Sequence, residues 1–234
     1  MEEEIKLFND YVKVFDFNHD KIKSKYAHTF RVVNYAEEIA KSLNLSEDDI
    51  NKAKICALFH DIGRFNQAKI YDTFEDSLSF DHGDEGMRVL EELNYNDRIV
   101  LLSTKYHNKY MVDKSLDDKT LMFCNITRDA DKIDILVNHY FEANENEVIS
   151  DEVFNEMFNE KLLKNNLSHN SNEEMLKGLS FIFDINYPKS FEILKENDLV
   201  NKKIDCLLKV NNDERINKVR EILNNYMEKR LKEC

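Results

Sequence analysis

Residues 45–63 read LSEDDINKAKICALFHDIG, and this stretch decides the fold. Its left end is a helix start. Ser46 supplies an N-cap oxygen, and Glu47, Asp48 and Asp49 sit where the helix dipole favours negative charge. Its right end carries Gly63, which can close the helix, so His60 and Asp61 are expected in the last turn. Upstream, Ser24 can cap a helix whose Tyr26, Phe30, Val33, Ala36, Ile39, Ala40 and Leu43 keep helical spacing. Before that, Ile5, Phe8, Val12 and Phe15 form a helical stripe from Glu2 to roughly Phe17.

Downstream, residues 64–80 (RFNQAKIYDTFEDSLSF) have weak periodicity and read as a loop with a short helix. In residues 81–95 (DHGDEGMRVLEELNY), Asp81 is a cap, and Met87, Leu90 and Leu93 form an apolar face. Further helices are expected from about Asn96 to His107 and from about Asp117 to Tyr140. Others are expected near 150–166, 171–184, 189–197 and 212–231, with Pro188 marking a break. Four glycines and one proline are too few to punctuate a many-stranded sheet. The fold class is therefore all-α: a helical core over 1–140 and a helical C-terminal extension over 141–234, packed on the core. Stripes in the extension (Val153, Phe154, Met157, Phe158 and Leu162; Ile216, Val219, Ile222, Leu223 and Tyr226) suit a core role, a cover over the active site or a homodimer contact.

The balance of 33 basic against 46 acidic residues gives a net charge of −13. Such a surface repels phosphate backbones, which disfavours a nucleic-acid polymer as partner. A small anionic substrate remains compatible, because a metal inverts the local field. Cys56, Cys124, Cys206 and Cys234 form no CxxC pair and read as reduced thiols, the first two as small core residues. MEEEIKLF at residues 1–8 lacks the apolar segment of a signal peptide, and no apolar run approaches the ~20 residues of a membrane span. The expectation is a cytoplasmic protein with no membrane partner.

His19, His139 and His169 have no further ligand types gathered around them. His28, one turn into its helix, and His60, Asp61, His82, His107 and Asp131 are different. Each falls on a different expected helix, or forms an adjacent pair at a helix end, so a bundle can point them at a shared centre. Imidazole with carboxylate suits Mn, Fe, Co, Ni or Zn rather than calcium, which takes oxygen ligands.

This pattern resembles the HD superfamily of metal-dependent phosphohydrolases, an all-helical core carrying H…HD…D. The matching residues are His28, His60-Asp61 in ALFHDIGRF (57–65) and Asp131 in RDADKID (128–134). The likeness covers roughly residues 22–140. It implies an enzyme with one or two divalent transition metals. Mononuclear members use His28, His60, Asp61 and Asp131; binuclear members add two histidines in the interval where His82 and His107 stand. Asp61 would then bridge the ions and accept the proton of the attacking water. The alternative is that His82 merely caps a helix and His107 bonds locally.

Arg64 follows HDIG where related cyclic-dinucleotide phosphodiesterases place a phosphate-contacting Lys, which implies a substrate role for it. Lys132, then Arg128, are further candidates, or else a solvated helix face. The Gly-Tyr-Pro and His-His motifs of those phosphodiesterases are missing, so cyclic-dinucleotide cleavage is not implied. The expected function is hydrolysis of a small, nucleotide-like phosphate ester. Alternatives are a mixed-valent di-iron oxygenase cleaving a C–C or C–P bond, and a binding module that keeps its metal without turnover.

Overall fold

The computed structural model describes residues 1–139 and 142–233, and among them it has helices and no strand, as expected. Two compact units are present, Met1–Asp131 and Lys132–Cys234. The boundary and helix end expected at Tyr140, and the thiol of Cys234, lie outside the described residues. No described helix is long and apolar enough to cross a membrane.

The first unit contains α1 (Glu2–Val12), α2 (Asp20–Ser42), α3 (Glu47–Phe59), α4 (Gly63–Tyr71), α5 (His82–Glu92) and α6 (Arg98–Tyr106). It also holds the first two-thirds of α7 (Asp118–Asn138), which runs past the unit boundary. α2 packs along α3, α3 on α6, and α5 on both α4 and α6. Phe8 of α1 is fully buried and sets its ring edge-on against Phe59 and Phe65, with centroids 6.4 and 5.8 Å away. That aromatic knot fixes the chain on either side of HDIG, at Phe59 just before it and at Phe65 two residues after it. Cys56 and Cys124 are buried, and burial pushes the Cys124 thiol up to about 12. Both are core residues, as read from the sequence.

Ser46 and Asp81 cap α3 and α5 as expected, Ser46 Oγ accepting from Asp49 N and Asp81 from the amides of Gly83 and Asp84. Two local expectations fail. Ser24 does not start α2, which begins at Asp20, so His28 lies two turns in rather than one. Gly63 does not close α3: it is the first residue of α4, and His60 caps the end of α3. Glycine is not the helix stop of this chain at all. Asn44 and Asn94 take the left-handed conformation just past α2 and α5 instead.

The second unit contains α8 (Asp151–Phe158), α9 (Ser171–Ser180), α10 (Pro188–Glu196), α11 (Leu199–Leu208) and α12 (Arg215–Lys232). Pro188 is the first residue of α10, where its missing N–H costs nothing. α11 was not expected, although its buried Leu199, Val200, Ile204 and Leu207 keep helical spacing. Val153, Phe154, Met157, Ile216, Val219 and Leu223 lie buried within this unit.

Candidate metal centre

All six candidate ligands converge inside the first unit. α2 contributes His28, and the tight junction between α3 and α4 contributes His60 and Asp61. His82 is the first residue of α5, His107 caps α6, and Asp131 comes from α7. The ligand atoms form two groups that share one residue: His28, His60, Asp61 and Asp131, and Asp61, His82 and His107.

The tautomers follow from where each Nδ1 is spent. His60 Nδ1 lies 2.7 Å from the Ala57 carbonyl, and His107 Nδ1 lies 2.7 Å from the Thr104 carbonyl. In both cases a helix-ending histidine folds back and donates to a carbonyl left over in the last turn. His82 Nδ1 donates to Asp76, 2.7 Å away. Each ring is thereby fixed with a bare Nε2. Yet His82 Nε2 stands 3.0 Å from His107 Nε2, and His28 Nε2 stands 3.1 Å from His60 Nε2. The first of these is an encounter of two lone pairs with no proton between them.

The carboxylates complete the pattern. Asp61 Oδ2 faces His28 and His60, 3.4 and 3.5 Å from their Nε2 atoms. Asp61 Oδ1 faces the other pair, 3.3 Å from His107 Nε2 and 3.5 Å from His82 Nε2. Asp131 Oδ1 is 3.2 Å from His28 Nε2 and 3.6 Å from His60 Nε2; it is buried and accepts no hydrogen bond. Ligands about 2.1 Å from one ion lie roughly 3.0–3.4 Å apart. These spacings, the converging lone pairs and the orphaned Asp131 oxygen all fit a divalent cation.

Sequence reading missed two charged residues here. Lys25, one turn before His28, places Nζ 2.5 Å from Asp61 Oδ2, beneath the ring of Phe74. Asp76 comes from the stretch between α4 and α5. Its Oδ1 accepts from Arg64 Nη1 at 3.1 Å and Gln67 Nε2 at 2.9 Å, and its Oδ2 accepts from Asn108 Nδ2 at 3.2 Å. A lysine one turn before a ligand was open to helical-spacing logic; Asp76, in a weakly periodic segment, was not.

Arg64 donates through Nη1 to Gln67, the Phe74 carbonyl and Asp76, while its Nε lies 3.5 Å from Asp61 Oδ1. Arg128 is buried, not on a solvated face, and donates to the carbonyls of Tyr106, His107 and Lys109 at the end of α6. Lys132 is also buried, and its Nζ lies 2.8 Å from Asp184 within the second unit. His19 pairs with Asp72 at the surface, away from the cage.

Burial would raise the Asp61 carboxyl, but Lys25 and the surrounding histidines hold it well below the usual carboxylate range. Asp131 is likewise raised by burial and held well below that range by His28 and His60. Burial lowers His107, and burial together with the Arg64 charge lowers His82 to about 4 against the Asp76 bond. His82 is therefore neutral at neutral pH. In chelated protein the folded state then binds fewer protons than the unfolded chain between the ordinary value of 6.5 and about 4. Stability should fall as pH drops through that window, by roughly 3 kcal/mol from His82 alone. The depressed aspartates add their own losses only at lower pH. Thermal melts of chelated protein should show this slope, reduced in His82→Gln; a melting temperature flat from pH 6.5 to 4.5 contradicts it.

An all-helical domain with a His/Asp cage of this form defines a class, and comparison with known proteins gives it a name. Residues 26–138, just under half of the chain, match the model of the HD domain. Two relatives, the ribonucleases Y of two strains of Ureaplasma parvum serovar 3, are each 35% identical over 83 residues. The match covers 36% of this chain and 15% of each relative, so the chain spans a small part of their length. No solved structure gives a significant match.

Proposed function

We propose that this chain is a metal-dependent phosphohydrolase that acts on a small, nucleotide-like phosphate ester through two divalent ions. The observation that carries the reading is Asp61, whose two oxygens face two different histidine pairs. His28, His60, Asp61 and Asp131 would hold one ion, and Asp61, His82 and His107 the other. Ions so held supply an activated water and neutralise charge on the phosphoryl group.

The chain's own residues do the rest. Asp61, ionised and central, would fix the spacing of the two halves. Neutral His82 and His107 keep their lone pairs for ligation. Lys25 and Arg64 flank the two oxygens of Asp61 and offer positive charge to a phosphate at the cage mouth, Arg64 from a guanidinium already oriented by Asp76. Lys132 pairs with Asp184 of the second unit, whereas Lys25 and Arg64 adjoin Asp61 itself, so we place the phosphate contacts on Lys25 and Arg64.

The relatives' name points to RNA. A net charge of −13 opposes a long polyanion, which favours a small ester for this chain. The test is hydrolysis of nitrophenyl phosphate, bis-nitrophenyl phosphate and nucleoside monophosphates by chelated and Mn- or Zn-reloaded protein. Turnover is expected only after reloading, and Asp131→Ala should lower kcat/KM roughly a thousandfold, about 4 kcal/mol. No turnover by fully loaded protein overturns the hydrolase reading. Faster cleavage of an RNA oligonucleotide overturns the small-ester part.

A further inference from the structure

Asp76 lies six residues before His82, in a short 3-10 turn (Asp76–Leu78), and its carboxylate meets His82 Nδ1 through both oxygens, at 2.8 and 2.7 Å. It is itself clamped. Arg64 and Gln67 of α4 hold Oδ1, and Asn108, just past α6, holds Oδ2. The acceptor beneath His82 is thus fixed from the elements on either side of that histidine, although the segment carrying it has no long helix of its own. His60 and His107 need no such partner, because each folds back on a carbonyl of its own helix. His82 opens its helix, where the nearby backbone groups are N–H donors, so only a side chain can accept its Nδ1 proton.

We propose that Asp76 is the positioning residue of the His82–His107 half of the cage. It holds His82 as the Nδ1–H tautomer, with the ring turned so that bare Nε2 faces His107 and Asp61. This rests on the two-ion reading for its metal consequence, though not for the tautomer. Of the six cage residues Asp76 bonds to His82, and its other partners are Arg64, Gln67 and Asn108, so its loss should weaken one ion and spare the other.

The experiment is a Mn²⁺ titration by calorimetry of chelated full-length wild type, Asp76→Ala, Asp76→Asn and Arg64→Met, beside ¹H–¹⁵N correlation of the histidine rings. Outer-shell partners of ligating histidines typically contribute 10–100-fold in affinity. Asp76→Ala should weaken one Mn²⁺ by that factor, leave the other within about twofold, and free His82 to mix tautomers. Asp76→Asn keeps the size and one acceptor oxygen, so it should shift the same ion less and guards against a folding failure of the alanine. Arg64→Met, which frees one oxygen of Asp76 from its clamp but leaves the carboxylate beneath His82, should weaken the same ion less than Asp76→Ala does. Two unweakened ions and an unchanged His82 tautomer in Asp76→Ala overturn the proposal. Equal weakening by Arg64→Met also overturns it, since Asp76 would then act only by holding the stretch down. A wild type that binds one ion instead sinks the two-ion reading itself, and the metal consequence with it.

Discussion

Asp61→Ala is expected to leave at most one metal ion per chain and to lower kcat/KM by a thousandfold or more, about 4 kcal/mol of transition-state stabilisation. Asp61 alone contributes to both ligand groups, so its loss opens both halves at once. The damage extends to Lys25, whose largely buried ammonium loses the carboxylate oxygen 2.5 Å away. A buried charge stripped of its partner is costly to the fold, so the alanine variant should also melt earlier. Asp61→Asn separates these effects. The amide keeps the shape and one acceptor oxygen for Lys25, yet it cannot bridge two cations as a carboxylate does. It should fold more nearly like the wild type and be almost as inactive as the alanine. Two retained ions with near-normal turnover in either variant would remove Asp61 from the centre.

Gly63→Ala should destabilise the protein by about 3 kcal/mol or more, although helix propensity alone predicts a gain of about 1 kcal/mol. Gly63 does not have positive φ, so no conformational privilege is at stake. Space is what matters. A Cβ at Gly63 would stand 2.4 Å from the His82 carbonyl oxygen and 2.7 Å from the Gly86 nitrogen, both backbone atoms of α5. Backbone in a packed helix cannot step aside as a flexible side chain can, so α5 must shift and carry His82 with it. Urea unfolding should show a lower midpoint with an unchanged slope, and weaker binding of the ion held by His82. A midpoint equal to or above the wild type would mean that α4 and α5 are not in backbone contact.

Gly63 also shows where the sequence could mislead. Its place after an apolar helix reads as a stop, but the chain turns through His60–Ile62 and starts α4 on the glycine, so the residue serves a close approach between α4 and α5, to backbone atoms of His82 and Gly86. Nothing local encodes that. The apolar stripes, the caps at Ser46 and Asp81 and the shortage of glycine and proline were enough for the all-helical class, because these signals act within a turn or two of chain. The ligand residue types and their order were legible through the HD pattern. Their grouping around Asp61 came only as what that resemblance implies; which oxygen faces which histidine pair depends on how α2, α5, α6 and α7 pack. Lys25 and Asp76 escaped for a related reason: a lysine on a helix and an aspartate in a weakly periodic stretch are commonplace until the fold brings them to Asp61 and His82. Lys132, adjacent to a ligand in sequence, shows the converse, with its ammonium beside Asp184.

The most direct test of the account is a count of metal ions per chain. Protein purified anaerobically without chelators would be measured by elemental analysis, beside His82→Ala, His107→Ala and His28→Ala. The account predicts close to two ions in the wild type and close to one in each single variant, because the two halves of the cage lose a ligand independently. At most one ion in the wild type, unchanged in His82→Ala and His107→Ala, would contradict it and leave a single ion held by His28, His60, Asp61 and Asp131.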